Sequence, residues 1–241
     1  MKAEEGTAAY WRKLLGLDEP GNPALFKLKP VWQAGLRPAF YHLLGLIFRS
    51  YCPVKVVGLE NLPPRPPYII AANHASSMDF AVVAWAMGKR REELFALTTK
   101  LFYDIAFTRF WIKLAANAVR IDTVADFFPA LRAAAKVLLA GKAVYINPEG
   151  TRSVNGAILP FRPGVGLLSI ETSVPIIPVY LKDTWKVLRP GSILPRPARI
   201  EVRFDRPLDP EAYRLNGGPA YDGYKALTEE LRQRIVALSS S

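Results

Sequence analysis

Two short stretches hold the side chains best suited to chemistry: NHASSMD, residues 73–79, and NPEGTRS, residues 147–153. In the first, His74 is followed five positions later by Asp79. A carboxylate there can bond one imidazole nitrogen and fix the tautomer, leaving the other nitrogen to take a proton from a hydroxyl. Taken alone, the spacing also fits a histidine that merely fills a turn. The second stretch sets Glu149, Gly150, Thr151 and Arg152 in a row. Arg152 can hold a phosphate bidentately, and Gly150 lets backbone N–H groups approach an anion. Glu149 either accepts a substrate hydroxyl or pins the loop. The chain has no Gly-x-Ser-x-Gly elbow, and its single cysteine, Cys52 before Pro53, reads as a small buried hydrophobe. A His–Asp pair without a protein nucleophile points to a substrate hydroxyl as the attacking group, hence to acyl transfer onto an alcohol.

Both stretches follow apolar runs, which is how loops at strand ends read. Strands are expected at Val54–Val57, Tyr68–Ala72, Leu94–Thr98, Ala143–Asn147, Pro175–Leu181 and Arg199–Phe204. Helices are expected after Asp79, across Lys100–Leu114, across Ala125–Ala140, after Pro163 and across Tyr221–Leu238. In DFFPALRAAAKVLLAG, Asp126 suits the N-cap, Pro129 the first turn and Gly141 the stop. The alternation argues for an α/β fold with a mostly parallel central sheet and helices on both faces. In such sheets ligands gather at the carboxyl ends of strands, so the loops after Ala72 and Ile146 can share one crevice. A helix starting near Ser76 would set His74 just ahead of it and Asp79 one turn in.

A chain of 241 residues, half of them hydrophobic, can bury a sizeable core and is not disordered. The net charge of +11 favours an acidic partner such as anionic lipid or a phosphorylated substrate. One cysteine and two histidines leave no disulfide framework and no metal-ligand set. A nucleic-acid-binding domain would explain the charge, but no helix-turn-helix, zinc knuckle or RRM-like signature supports it. The first ten residues lack an apolar core, so no signal peptide is expected.

The turn-rich break at residues 18–23 suggests a helical N-terminal segment, residues 1–52, ahead of an α/β domain, residues 53–241. The apolar run Pro38–Phe48 would extend roughly 16 Å as a helix, too short to span a bilayer. It could lie in the interface, with Arg37 and Arg49 reaching phosphates and Trp32, Phe40 and Tyr41 at headgroup depth. The stripe Tyr10, Trp11, Leu14 and Leu15 beside Arg12 and Lys13 is a second interfacial candidate, and packing on the domain is the alternative for both. Tyr103, Phe107, Phe110, Trp111 and Leu114 form a stripe that suits an acyl-tunnel wall or core packing. Lys89, Arg90 and Arg91 read as a solvated loop or a docking patch. Lys182, Lys186, Arg189, Arg196, Arg199, Arg203 and Arg206 could make a membrane-facing rim.

Together the motifs resemble the glycerolipid acyltransferases, the lysophosphatidic acid acyltransferase group. NHASSMD is similar to that family's Asn-His-x4-Asp motif and NPEGTRS to its Phe-Pro-Glu-Gly-Thr-Arg-Ser motif. Arg120 in LAANAVRID falls where the second motif carries its arginine, and Val174–Val179 looks like the fourth motif. The resemblance covers roughly residues 50 to 205. It implies that His74 is the general base and that Asp79 orients it. Transfer would run from acyl-CoA or acyl carrier protein to 1-acyl-glycerol-3-phosphate, giving phosphatidic acid. Glu149, Gly150, Thr151 and Arg152 would bind the acceptor, Arg120 and Lys100 would complete a phosphate clamp, and Asn73 would support the loop or polarise the thioester. No metal or bound cofactor is implied, and the setting would be the cytoplasmic face of a membrane, as a peripheral or monotopic enzyme. Two departures stand out: Asn147 replaces the usual aromatic, and the second motif lacks its glycine and aromatic. Another lysophospholipid, or an aminoacyl lipid bearing a hydroxyl, is therefore an alternative acceptor, and a lipid-binding protein without activity a more distant reading.

Overall fold

The structure is a computed structural model, and it describes residues 7–18, 31–99, 110, 112, 114–121, 127–189, 191–192, 194–214 and 220–240. Among these, seven strands form one sheet: β1 (Val54–Val57), β2 (Ile69–Ala72), β3 (Leu94–Thr99), β4 (Asn117–Ile121), β5 (Ala143–Ile146), β6 (Ile176–Lys182) and β7 (Ile200–Phe204). Their spatial order is β1-β7-β6-β2-β5-β3-β4. From β6 to β4 all pairings are parallel. β7 pairs antiparallel with β6, and β1 runs parallel to β7. The sheet is thus mostly parallel, with a reversed pair at one edge.

Residues alternate between the two faces, as the strand period of two requires. Ile69 and Ala71 of β2 join one buried cluster, while Ile70 and Ala72 join the other. Strands buried on both faces explain why β2, β5 and β6 read as continuous apolar runs. On the first face lie α1 (Ala8–Leu15), α4 (Phe128–Leu139), α5 (Gly164–Thr172) and α7 (Ala220–Ser240). The second face carries α2 (Val31–Ser50), α3 (Asp79–Ala86) and α6 (Thr184–Val187). In α4, Pro129 sits in the first turn, and Gly141 at φ +72° takes the left-handed position after the last turn. Asp126 and the segment expected to be helical from Lys100 lie outside the described residues, apart from Phe110, Ile112 and Leu114. That segment includes most of the aromatic stripe, whose Phe110 is exposed and Leu114 buried.

Three expectations need correction. β4 is not among the expected strands: Ala115-Ala116-Asn117-Ala118 has the composition of a helix, while pairing with β3 decides its state. The stripe of α1 faces inward: Leu15 is fully buried, Trp11 packs on the core, and Arg12 Nη1 donates to the Glu171 carbonyl at 3.2 Å. Arg37 does not reach outward either. Only 3% exposed, it donates to the Leu114 and Ala116 carbonyls and to Asn117 Oδ1, and it pairs with Glu92. Tyr41 is buried beside it, donating to the Ala115 carbonyl under the Arg91 guanidinium. Arg37 and Tyr41 therefore rivet α2 to the segment that leads into β4. The opposite face of α2 stays bare, with Leu36, Leu43, Leu46 and Ile47 exposed at helical spacing. No helix among the described residues is long and apolar enough to cross a membrane.

Candidate active site

β2 and β5 are neighbours, with Ala71 opposite Ile146, so both motif loops leave the sheet side by side. The His74 side chain is 25% exposed, and its Nδ1 lies 2.9 Å from Asp79 Oδ2. Asp79 is the first residue of α3 rather than one turn in, and its side chain is 1% exposed. The same Oδ2 accepts the backbone N–H groups of Ala75 and Ser76 at 2.8 and 2.9 Å. These two donors fix the carboxylate so that it can only meet Nδ1–H of the ring. Nε2 is then the nitrogen able to accept a proton. Asp79 Oδ1 is buried without a hydrogen-bond partner among the described residues.

The second loop is stitched to the first. Glu149, nearly fully buried, accepts His74 N–H through Oε1 at 2.8 Å and Leu159 N–H through Oε2 at 3.2 Å. Ser153 N–H donates to the His74 carbonyl at 2.7 Å, so the backbone of His74 is gripped on both sides. Burial pushes the Glu149 carboxyl above its ordinary range, and the two N–H donors pull against that. Arg152 Nη1 donates to Ser77 Oγ at 2.5 Å, a further cross-link. Asn147, at the position where the resemblance implies an aromatic, donates to the carbonyls of Ala72 and Asn73 at 3.0 and 3.2 Å and to Tyr145 Oη at 3.0 Å. Burial, then the charge of Asp79, push the Tyr145 phenol well above its usual value, so it stays protonated below the dyad. Asn147 thus gives the two loops a hydrogen-bonded floor.

The expected site residues separate into two groups. Asn73 is 1% exposed, with Oδ1 accepting Leu181 N–H and Nδ2 donating to the Leu181 carbonyl. Like Glu149 it ties backbone: of the roles expected of them, these bonds serve loop support by Asn73 and loop pinning by Glu149. The outer group consists of Gly150, Thr151 and Arg152, which remain at least partly accessible at the loop tip. Gly150 adopts φ +70°, and a Cβ there would come within 3.0 Å of Arg162 Nε. Arg162 is an exposed cation lying over the loop that sequence reasoning missed; its position ten residues after Arg152, flanked by Phe161 and Pro163, gave no chemical signal. The Arg120 backbone lies in β4, while its side chain and all of Lys100 lie outside the described residues.

Beyond the loop, Trp11, Phe127, Phe128, Leu167, Tyr221 and Tyr224 line a cavity of about 290 Å³, with Arg162 at its edge. The late basic residues do not form one rim. Lys182, Lys186, Arg189, Arg196 and Arg199 are exposed near the end of β6, whereas Arg203 is drawn to Glu201 and the Leu238 carbonyl. Arg90 and Arg91 are structural: Arg90 donates to the Leu59 and Leu62 carbonyls, and Arg91 covers Tyr41. Cys52 is buried, and burial raises its thiol. Among the described residues no group of three or more His, Cys, Asp or Glu is arranged to hold a metal.

The Acyltransferase family profile matches residues 53–182, more than half of the chain. A 1-acyl-sn-glycerol-3-phosphate acyltransferase of Limnanthes douglasii is 27% identical over 197 residues, covering 78% of this chain and 66% of the relative. The alpha enzyme of that name from Mus musculus is 29% identical over 196 residues, covering 77% and 63%. The chain thus spans somewhat under two thirds of the length of these relatives. The crystal structure of the 1-acyl-sn-glycerophosphate acyltransferase PlsC from Thermotoga maritima shares the fold, with a TM-score of 0.67 at 21% identity over 100% of this chain and 92% of that one. On the strength of the profile match, with both of its polar loops brought together at one end of the sheet, this chain belongs to the acyltransferase family.

Proposed function

We propose that the protein transfers a fatty acyl group from an acyl thioester to the free hydroxyl of 1-acyl-glycerol-3-phosphate, giving phosphatidic acid. The observation that carries this reading is the 2.9 Å contact between His74 Nδ1 and Asp79 Oδ2, held beside a loop bearing Gly150 and Arg152. Nε2 of His74 takes the proton of the acceptor hydroxyl as its oxygen attacks the thioester carbonyl carbon. Collapse of the tetrahedral adduct breaks the C–S bond, and the thiolate leaves with the proton from the imidazolium. The products are an ester and a free thiol, and no bond to the protein forms. A positioned general base of this kind contributes roughly 10²–10⁴-fold in rate.

Arg152 keeps donors beyond the one spent on Ser77, and Arg162 stands over Gly150, so the pair suits the acceptor phosphate. Acyl-CoA and acyl carrier protein both present the required thioester. The aromatic cavity beyond Arg162 supports an acyl-chain seat next to that phosphate. The bare face of α2, with Leu36, Leu43, Leu46 and Ile47, supports peripheral binding at the cytoplasmic membrane surface, where the lysolipid acceptor resides. A labelled acyl donor offered against a panel of lysolipids tests the reading. Lysophosphatidate should be the best acceptor, and a phosphate-free monoacylglycerol that serves equally well would refute the phosphate clamp.

A further inference from the structure

At the reversed edge of the sheet, away from the aromatic cavity, a cleft of about 440 Å³ opens between the end of β6 and the starts of β7 and β1. Lys55, Lys182 and Arg199 line it, together with Asp183 and Glu201. The two carboxylates are already matched. Glu201 pairs with Arg203 at 2.9 Å and Lys55 at 3.2 Å, and Asp183 pairs with Lys186 at 2.8 Å. Lys182 and Arg199 are exposed and have no ion pair among the described residues. The cleft therefore has the size of a small-ligand site and two uncommitted cations.

Its position relative to His74 follows from the sheet. Asn73 binds both backbone groups of Leu181, and Lys182 is the next residue. Ser76 Oγ donates to the Leu188 carbonyl at 2.8 Å, which ties the end of α6 to the His74 loop. β6 is the neighbour of β2, and β7 lies one strand further out. The backbones of Lys182 and Arg199 therefore stand one and two strand spacings, roughly 5 and 10 Å, from the strand that delivers His74. With their long exposed side chains added, the free cations stand roughly 10–15 Å from the imidazole. That is too far for the phosphate of a glycerol phosphate, which lies only a few bonds from the attacking hydroxyl. It suits a substrate whose phosphate is remote from its reacting carbonyl. A pantetheine arm, with pantoate, β-alanine and cysteamine units in series, is about as long as four or five extended residues, or roughly 15 Å.

We infer that this cleft receives the phosphate end of the donor's phosphopantetheine arm, with Lys182 and Arg199 as its ligands, while the thioester reaches His74. The inference rests on the acyl-transfer reading, and it assigns the two substrate phosphates to opposite sides of the dyad. The test is the double variant Lys182→Glu/Arg199→Glu in the full chain. Palmitoyl-CoA, palmitoyl carrier protein and phosphate-free palmitoyl-pantetheine serve as donors, in neutral detergent micelles with lysophosphatidate. The KM for a phosphate-bearing donor should rise roughly tenfold or more. Meanwhile kcat, the acceptor KM and the use of palmitoyl-pantetheine should stay within about twofold of the parent. Whichever donor shows the shift, CoA or carrier protein, is the source of the arm. Equilibrium dialysis of CoA and pull-down of holo carrier protein separate the two claims. Binding that charge reversal abolishes, in a protein that transfers nothing, would keep the cleft and remove the acyl-transfer reading. Unchanged KM and binding for both donors would overturn the inference. So would failure of the parent to bind either one, or a loss confined to sedimentation with phosphatidylglycerol vesicles.

Discussion

The seam between the two motif loops and the rim around them are built on opposite terms. In the seam, Asn73, Asn147, Glu149, Ser153 and Asp79 spend their polar atoms on backbone groups of the neighbouring loop or strand. At the rim, Thr151, Arg162, Lys182 and Arg199 point charge or hydroxyl at solvent with few partners or none. The difference separates residues that hold His74 still from residues left over to hold substrate. It also divides one motif: Glu149 and Arg152 are three positions apart, yet one is buried beneath the loop and the other stands at its tip.

That division can be broken experimentally, and the largest effect should come from the dyad. Asp79→Asn keeps the shape but presents an amide to the ring and to two backbone N–H groups. Steady-state acyl transfer should fall by roughly 10²–10⁴-fold in kcat, because the ring loses its fixed tautomer. A drop confined to KM would place Asp79 at the rim. Glu149→Gln should come next. An amide cannot accept both His74 N–H and Leu159 N–H, so chemical denaturation should show a loss of about 1–3 kcal/mol. Displacement of the base should cut kcat by roughly tenfold or more. If acceptor KM alone responded, Glu149 would be a substrate ligand after all. The smallest effect on chemistry belongs to the outermost surface. Leu43→Asp with Leu46→Asp should leave micellar turnover nearly unchanged, since both side chains are about half exposed. Co-sedimentation with vesicles should drop severalfold, because removing buried apolar area costs about 25 cal/mol per Å². Unaltered co-sedimentation would turn attention away from α2.

Much of the frame was legible because it depends on local pattern. The runs at β2, β5 and β6 are apolar on both faces, Pro129 and Gly141 mark the ends of α4, and the two polar strings follow strand ends. What stayed hidden depends on partners distant in the chain. Glu149 meets His74 across 75 positions, and nothing near Glu149 announces a buried acceptor. Arg37 sits in an apolar helix beside lipid-like neighbours, yet its guanidinium is claimed by carbonyls and Asn117 nearly 80 residues away. The reversal of β7 is likewise invisible, since strand direction follows from the path of the connections and not from β-propensity. Asn147 departs from the aromatic that the resemblance implies, and only its three acceptors, distant in the chain or buried, reveal its structural role.

The central claim is that His74 takes the proton from the acceptor hydroxyl. Its side chain is partly exposed and its backbone is held by Glu149 and Ser153, so His74→Ala should fold as the parent does. The most direct measurement is the rate of acyl transfer to lysophosphatidate at saturating donor and acceptor, for this variant against the parent. The rate should fall by roughly 10²–10⁴-fold, with both KM values within about twofold. A variant retaining more than about a tenth of the parent rate would contradict it.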